Sequence, residues 1–363
     1  MDERLRSRAR ELLRRNKHDS RRSSSVGIQI TTRCNVKCRH CIGPFFSSDL
    51  PPLTPRRLRD WLERIRAESS ANQVCFTGGE PFLVPDALAA AAGHATKLGF
   101  YTVVVSNGSW ARSPRIAMDR LSPLAAAGLK HVSLSFDSYH REYVPTAFIR
   151  HAFDACSRLG IETGFNLLQD DFADDSQVED FLLETFGQRV ADIATVSIAS
   201  VIRHGRAVNL PPLAGDQDIK EHGTCGAMGI LVQQSGHVSA CCGPPQSPQS
   251  ALTVGHMDTD AFGDIYGRAL TAPFPLLIQS EGIRFVQRLA GLPSTEPLYA
   301  AQRCMACMRL ANDERVQEAV NEGFTSLDRR INLAAQILLG TGDELPLTLL
   351  LDEKNRLQEE MAG

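Results

Sequence analysis

The sequence lacks the features that would place this protein in a membrane, outside the cell or on nucleic acid. No uncharged apolar run reaches the roughly 18–20 residues that a membrane-spanning helix needs. No apolar segment follows Met1-Asp2-Glu3-Arg4, which excludes a secretory signal. The net charge is −3, so there is no overall basic field of the kind that attracts nucleic acid. These absences predict a cytoplasmic protein without membrane or nucleic-acid partners.

The sequence is rich in apolar residues and in cysteine. Of the 363 residues, 43% are hydrophobic and 22% are charged, which suffices for a sizeable core. A chain of this length is expected to hold one large domain and something smaller. The ten cysteines are unusual without an export signal. In a reducing cytoplasm they are expected to be metal ligands or catalysts rather than disulfides.

The first large segment alternates strand-like and helix-like stretches. One helix is predicted to begin at Thr54-Pro55 and a second at Asp86, where Gly99 can close it. Such alternation is typical of parallel strands with crossover helices. Six units are too few for an eight-stranded barrel, so the fold class is α/β, an open, partial (β/α)6 TIM-like barrel, with chemistry at the carboxyl ends of the strands. The six predicted strands are Val26–Ile30, Gln73–Phe76, Tyr101–Val105, His131–Phe136, Thr163–Leu168 and Ala194–Ile202.

A cysteine loop follows the first strand. It reads Cys34-Asn-Val-Lys-Cys38-Arg-His-Cys41. Three thiolates cannot complete a tetrahedral zinc site, but they can hold three irons of a 4Fe–4S cluster and leave the fourth iron open. The alternative is a zinc loop with His40 as a fourth ligand.

Polar segments close the next strands. The second strand ends in Thr77-Gly78-Gly79-Glu80-Pro81, the third in Ser106-Asn107-Gly108 and the fourth in Ser133-Leu-Ser135-Phe-Asp137, while Asn166 lies on the fifth. Singly, each is also an ordinary turn or strand end. Together with the cysteine loop, in this order, they resemble the radical S-adenosylmethionine (SAM) superfamily, over roughly residues 26–210.

The resemblance assigns roles to these residues. It implies that Gly78, Gly79 and Glu80 bind the methionine amino group of SAM. Polar groups at the next strand ends would contact the methionine carboxylate and the ribose, and His40 would pack near the adenosyl group. These polar groups are Ser106, Asn107, Ser135, Asp137 and Asn166. Five residues after the fourth strand, Asp137, Tyr139, His140, Arg141 and Glu142, are candidates either for the pocket or for a solvated loop.

The chemistry of the family follows from this assignment. SAM chelates the open iron, and one electron cleaves its sulfonium bond to give a 5′-deoxyadenosyl radical that removes a hydrogen atom from an unactivated carbon. The resemblance therefore implies two cofactors here, the cluster and SAM, and an external one-electron reductant of the flavodoxin or ferredoxin type.

A second set of cysteines follows residue 210. Cys225, Cys241, Cys304 and Cys307 resemble the twitch form of the SPASM/twitch extensions of radical SAM enzymes, which implies one auxiliary 4Fe–4S cluster. A structural zinc on the same four residues is the alternative. The preceding segment, Arg203-His-Gly-Arg-Ala207, resembles a GRA-type segment of the family, with a structural or SAM-proximal role.

These patterns predict four parts of the chain. Residues 1–25, with eight arginines, form a basic N-terminal arm, expected to be a solvated helix that frays at its end or to dock an acidic partner. Residues 26–210 form the partial barrel, residues 211–310 a small, loop-rich twitch domain, and residues 311–363 a helical tail.

Three cysteines remain. Cys75 and Cys156 are expected to be small buried apolar groups. Cys242 follows a predicted ligand directly, so its thiol could return a hydrogen atom to a substrate radical with inverted configuration. The alternatives are an inert cysteine, or that Cys242 rather than Cys241 is the ligand.

Three functions fit the sequence. The first is a radical epimerase with Cys242 as hydrogen donor, which we favour. The second is a radical dehydrogenase that passes an electron to the auxiliary cluster. The third is an iron–sulfur or zinc protein without turnover. Relatives act on aminoglycoside-like sugars or ribosomally made peptides, and the sequence shows no N-terminal peptide-recognition domain, which tilts the expectation toward a carbohydrate-like natural product.

Overall fold

The computed structural model describes residues 3–18, 25–43, 50, 53–210, 225, 229–244, 246–293, 303–341 and 344–362. The predicted start of the auxiliary domain at residue 211 lies outside these residues. The chain divides into two compact units. The first comprises Met1–Asp19, Ile28–Glu63 and Asn72–Pro211, and the second comprises Ser20–Gly27, Arg64–Ala71 and Pro212–Gly363.

The strands of the described residues fall into a parallel group and an antiparallel group. Strands β1 to β6 are ordered β6-β5-β4-β3-β2-β1, and the neighbours from β2 to β6 pair in parallel. Strands β7 to β9 pair as antiparallel neighbours. The strands are β1 (Ser25–Thr31), β2 (Gln73–Gly78), β3 (Tyr101–Ser106), β4 (His131–Ser135), β5 (Glu162–Leu168), β6 (Ile193–Ala199), β7 (Ile230–Val232), β8 (His237–Ser239) and β9 (Thr253–His256).

Helices alternate with the parallel strands and dominate the remainder of the chain. The helices are α1 (Glu3–His18), α2 (Pro55–Glu68), α3 (Pro85–Lys97), α4 (Pro114–Ala126), α5 (Ser138–Arg141), α6 (Thr146–Arg158), α7 (Asp175–Phe186), α8 (Phe262–Thr271), α9 (Pro273–Ser280), α10 (Ile283–Leu289), α11 (Arg303–Ala311), α12 (Glu314–Phe324), α13 (Leu327–Thr341) and α14 (Leu345–Ala362). Strand–helix alternation around a parallel sheet confirms the predicted α/β fold of the partial-barrel type. None of the helices in the described residues combines the length and apolar character that crossing a bilayer requires.

Sequence periodicity explains the first unit. In α2, Leu58, Trp61 and Leu62 recur at helical spacing and are at most 2% exposed, as predicted. Burial of both sheet faces accounts for runs such as the Val103 to Val105 stretch of β3. Strand β6, the last of the parallel strands, ends at Ala199 rather than at the predicted Ile202. Beyond it, the Val201 N–H donates to the Asp170 carboxylate (3.4 Å) and not to a neighbouring strand.

The N-terminal arm differs from the expectation of a solvated segment. Helix α1 contacts α7 and β6, and it buries Ala9, Leu12 and Leu13. Its arginines pair with acids of α7, since Arg6 Nη2 lies 2.9 Å from Asp180 Oδ1. The apolar positions 9, 12 and 13 fall on one helical face, which is the signal that the arginine count obscured.

The second unit contains more helix than predicted. Region 211–310 was expected to be loop-rich, yet it contains α8, α9 and α10. Helix α8 buries Phe262, Ile265, Tyr266, Ala269 and Leu270, an i, i+3, i+4, i+7, i+8 pattern. The tail is helical as expected, and Leu333 and Ile337 of α13 are buried with Leu277 and Ile278 of α9 in one apolar cluster.

Candidate functional site

A cavity of about 330 Å³ lies in the first unit, at the carboxyl ends of the parallel strands. The loops after β1, β2, β3 and β4 and the segment after β6 line it. Nine of the residues predicted for the site meet there: Cys34, Cys38, His40, Cys41, Gly78, Gly79, Ser106, Asn107 and Ser135. The cavity is therefore built by the elements that the sequence indicated.

The three cysteines of this cavity suit a polynuclear cluster better than a single zinc ion. Around tetrahedral zinc, sulfur atoms lie about 3.8 Å apart, given Zn–S bonds of about 2.3 Å. Among the described residues, the one group of three metal-ligating atoms that all lie within 4.8 Å of one another is Cys38, His40 and His140. The zinc alternative requires Cys34, Cys38 and Cys41 with His40 as the fourth ligand, and these four side chains do not form such a group.

The thiol chemistry also calls for a cationic group. Burial, together with the smaller effect of the charges of Glu80, Cys38 and Cys41, raises the pKa of Cys34 to about 11. A thiolate is the form that binds a metal, and positive charge beside a buried thiol favours that form. Iron would supply that charge, so the donor set fits the cluster that the family implies.

Two glycines allow the β2 loop to approach the cysteine loop. A Cβ atom at Gly78 would overlap the Thr31 carbonyl oxygen, and one at Gly79 would overlap the Arg33 carbonyl oxygen. Instead, the Gly79 N–H donates to the Thr31 carbonyl and the Glu80 N–H donates to the Arg33 carbonyl, both at 2.8 Å. Close backbone approach is the physical reason for the glycine pair.

Glu80 lies directly behind the cavity wall and is 1% exposed. Its Oε1 accepts hydrogen bonds from Phe82 N (3.0 Å) and Ser106 Oγ (2.9 Å), and its Oε2 accepts one from Asn107 N (2.8 Å). Burial raises the pKa of Glu80 to about 7 even though these donors oppose the shift. The three donors therefore hold the carboxylate in one orientation, and it gains or loses its proton near neutral pH. Glu80 is not a lining residue of the cavity.

The end of β3 connects this carboxylate to the cysteine loop. Ser106 Oγ accepts a hydrogen bond from Trp110 Nε1 (2.9 Å), and Trp110 stacks on Phe82 with ring centroids 4.1 Å apart. Asn107 Nδ2 lies 3.8 Å from Cys34 Sγ and 3.1 Å from Asn35 Oδ1. Trp110 is a member of the site that the sequence analysis missed, and no motif signals it.

A buried Asp–His pair stands beside Cys38. Asp137 caps α5, and its Oδ2 lies 2.6 Å from His140 Nδ1. Burial opposes a charge on His140, but the hydrogen bonds to Asp137 and Cys38 and the charges of these two groups together outweigh it and raise the pKa of His140 to about 10. Burial lowers the pKa of His40 to about 4. His140 lines the cavity, whereas the predicted SAM contacts Asp137 and Asn166 are not lining residues.

The GRA-type segment fastens the third cysteine. Arg206 N donates to the Cys41 carbonyl (3.0 Å), and a Cβ atom at Gly205 would approach that same oxygen to 2.7 Å. Gly205 also has a φ of +60°, which favours glycine. Arg206 lines the cavity, so the segment contributes both a clamp and a cation.

The second unit brings its own four cysteines near one another. Burial raises the pKa of Cys307, and the charges of Cys241, Cys225 and Cys304 raise it further. Cys304 and Cys307 are three residues apart on α11, hence on one helix face. As in the first unit, no three of these four described sulfur atoms all lie within 4.8 Å of one another.

Cys242 is placed differently from its neighbour. It is exposed, whereas Cys241 is partly buried and packs against the apolar cluster of the second unit. The Gly243 N–H donates to Cys241 Sγ at 3.3 Å. Of the remaining cysteines, Cys156 is fully buried, as predicted, and Cys75 is half-buried in β2.

Comparison with known proteins finds a family that is similar to most of the first unit. Residues 28–170 match the family model of the Radical SAM superfamily. The "Putative peptide biosynthesis protein YydG" of Bacillus subtilis (strain 168) is 22% identical over 228 residues, which is 61% of this chain and 70% of that protein. The "PqqA peptide cyclase" of Xanthomonas oryzae pv. oryzae is 36% identical over 112 residues, 31% of this chain and 28% of that protein. The solved structure "Native anSMEcpe with bound AdoMet" matches with a TM-score of 0.47 at 14% identity, over 86% of this chain and 99% of that chain.

Proposed function

We propose that this chain, which belongs to the radical SAM superfamily, is a radical epimerase that inverts one carbon centre of a peptide. The observation that carries the catalytic part is the convergence of Cys34, Cys38 and Cys41 with the Gly78-Gly79 loop on one cavity. Glu80, held by three donors immediately behind that loop, would supply a negatively charged acceptor for the N–H bonds of the methionine amino group.

The residues of the first unit have distinct tasks in this proposal. Cys34, Cys38 and Cys41 would hold a 4Fe–4S cluster, and Gly78, Gly79, Ser106, Asn107 and Ser135 would hold SAM. When bound, the two cofactors supply a 5′-deoxyadenosyl radical that removes a hydrogen atom from the substrate carbon. His40, which is neutral and 16% exposed at its side chain, presents an uncharged ring toward the cavity for the adenine.

Cys242 performs the step that distinguishes an epimerase. Its S–H bond breaks and a C–H bond forms on the face of the substrate radical opposite to the one that lost hydrogen. A thiol S–H bond is weaker than an ordinary C–H bond, so this transfer is favourable. The sulfur radical left on Cys242 then takes one electron from the external one-electron carrier and one proton from water, which restores the thiol.

The second cysteine set is proposed to hold an auxiliary 4Fe–4S cluster on Cys225, Cys241, Cys304 and Cys307. The four thiols lie close enough for their charges to raise the pKa values of Cys241 and Cys307. Cys242 beside them is exposed, which supports Cys241 rather than Cys242 as the ligand. The same cluster favours the second candidate, a dehydrogenase, in which the substrate radical loses a proton and passes its electron to that cluster.

The names of the two sequence relatives favour a peptide substrate over a sugar. One is a peptide biosynthesis protein and the other a peptide cyclase. We therefore revise the expectation of a carbohydrate-like substrate and propose a peptide.

Deuterium labelling separates the two candidates. The reconstituted enzyme is incubated anaerobically with SAM, dithionite and each short peptide encoded near its gene, in deuterated water. An epimerase yields a D-residue carrying one deuterium at Cα, because the exchanged thiol delivers it. A dehydrogenase yields a product two mass units lighter, without deuterium at that carbon, and this outcome would replace the proposal.

Single-residue variants test whether Cys242 is the hydrogen-atom donor. Cys242→Ala is expected to form 5′-deoxyadenosine but to lose at least 90% of the inversion. Cys75→Ala, which removes a half-buried thiol of β2, is the matched control and retains inversion. Full inversion by Cys242→Ala would refute the role of this thiol.

A further inference from the structure

The loop that carries the first three cysteines has an inner and an outer face. From residue 33 to residue 40, exposure alternates with a period of two. The inner, even-numbered residues line the cavity: Cys34, Val36, Cys38 and His40. The outer, odd-numbered residues are exposed: Arg33, Asn35, Lys37 and Arg39. The loop therefore separates the cavity from solvent by a single layer of chain.

The outer face is basic. Arg39 pairs with Glu142 (Nη2 to Oε1, 2.5 Å), yet its side chain stays 62% exposed. Within the part of the chain that the structure describes, the side chains of Arg33 and Lys37 form no ion pair, so two positive charges face solvent. Each basic residue directly adjoins a cysteine in the sequence, Arg33 beside Cys34 and both others beside Cys38.

The loop does not need these basic side chains for its own structure. It is fastened by backbone groups, because the Arg33 carbonyl accepts from Glu80 N (2.8 Å) and the Lys37 carbonyl accepts from Tyr143 Oη (3.2 Å). Asn35, the one uncharged outer residue, donates from Nδ2 to Ser109 Oγ (2.7 Å). The exposed charges at Arg33 and Lys37 thus have no structural task among the described residues.

We propose that Arg33, Lys37 and Arg39 form the docking surface for an acidic, one-electron carrier protein. The proposal rests on the cluster part of the proposed function and not on the epimerase chemistry. The cavity side of the loop is reserved for SAM and substrate, so a carrier protein must approach from the outer face. Opposite charge would speed and orient that encounter. One electron leaves the carrier, which is thereby oxidised, and reduces the cluster, with no bond made or broken in this chain.

The test uses reduced flavodoxin as the carrier and the full-length reconstituted protein. The variant Arg33→Glu/Lys37→Glu reverses the two unpaired charges. Its control, Arg56→Glu/Arg59→Glu, reverses two exposed positive charges on α2. Stopped-flow absorbance measures the rate of flavodoxin oxidation, and dithionite-driven formation of 5′-deoxyadenosine reports whether each variant carries its cluster.

At low ionic strength, the ratio of the flavodoxin rate to the dithionite rate is expected to fall about tenfold or more for the loop variant and to stay within twofold for the control. The difference should shrink at high salt, because surface charges are then screened. An unchanged ratio for the loop variant, or an equal loss for the control, would overturn the docking surface. If charge reversal prevents cluster loading, Arg33→Gln/Lys37→Gln replaces it, with a smaller expected fall. Absence of 5′-deoxyadenosine from the wild type under dithionite would instead refute the proposed function itself.

Discussion

Two adjacent glycines show how single residues determine this site. Gly78 and Gly79 stand where a Cβ atom would overlap a backbone carbonyl of the segment leading to Cys34. The sequence indicated a tight turn here. It could not reveal that glycine is required at both positions because a second chain segment passes too close to leave room for a Cβ atom. The glycines set the separation of the β2 loop from the cysteine loop.

Gly79→Ala should therefore disrupt cluster loading. The added methyl group pushes the Arg33 carbonyl away and shifts Cys34, so we expect less than half of the wild-type iron in the first cluster. Iron analysis and circular dichroism measure loading and folding. Gly93→Ala is the control, because its nearest neighbour, the Ala127 Cβ, lies at 3.6 Å and leaves room for a methyl group. Normal iron content in Gly79→Ala would contradict the close-approach argument.

The pH dependence of SAM binding reports on Glu80. Burial raises its pKa from 4.5 to about 7, so in the free site the carboxyl is protonated below pH 7 and ionised above it. If the ionised form accepts a hydrogen bond from the methionine amino group, affinity must fall as the pH falls. A free α-amino group has a pKa of about 7.7 and must lose its proton to bind iron, so its own titration acts in the same direction and must be separated from that of Glu80 by a variant.

Between pH 7.5 and pH 6, we expect the Kd for SAM to rise about eightfold more for the wild type than for Glu80→Gln. This is the linkage value for a group with a free-site pKa near 7 and a much lower pKa in the complex, and the titration of the amino group is common to both proteins. Equilibrium binding to the reconstituted proteins measures both values. An equal rise in the two proteins would show that Glu80 is already ionised in the free site.

At the element scale, helix α1 was expected to be a solvated arm, but in the structure it packs against the rest of the first unit. Its charge suggested solvation, but Ala9, Leu12 and Leu13 are buried and its arginines face acids of α7. Burial of one apolar face stabilises a helix regardless of how many charges occupy the other faces.

Leu12→Ala tests this packing. Leu12 is 1% exposed, and truncating a buried leucine costs about 2–5 kcal/mol of unfolding free energy. Urea denaturation followed by circular dichroism should show the loss. Ser7→Ala, at an exposed position of the same helix, should change stability by less than about 0.5 kcal/mol. Equal stability of Leu12→Ala and the wild type would mean that the arm is not docked in solution.

The helices of the second unit show what a compositional argument misses. Prolines and cysteines suggested loops, whereas the apolar spacing in α8 predicts a helix when it is examined residue by residue. Periodicity is a local signal and can be recognised in sequence, but composition averages over loops and helices together.

At the scale of the whole molecule, the parallel topology explains why the first site could be anticipated. Carboxyl ends of neighbouring parallel strands meet at one edge, so residues far apart in sequence had to converge there. The pairing of Asp137 with His140, the support of Ser106 by Trp110 and the contact of Gly205 with Cys41 could not be anticipated. They depend on side-chain directions and loop conformations that strand order does not specify.

The most direct test of the account is reductive cleavage of SAM by the protein alone. Anaerobically reconstituted wild-type protein is mixed with SAM and dithionite, and 5′-deoxyadenosine is quantified by mass spectrometry. We predict that the wild type and Cys242→Ala both form it and that Cys38→Ala forms none. Absence of 5′-deoxyadenosine from the iron-loaded wild type, or its formation at the wild-type rate by Cys38→Ala, would contradict the account.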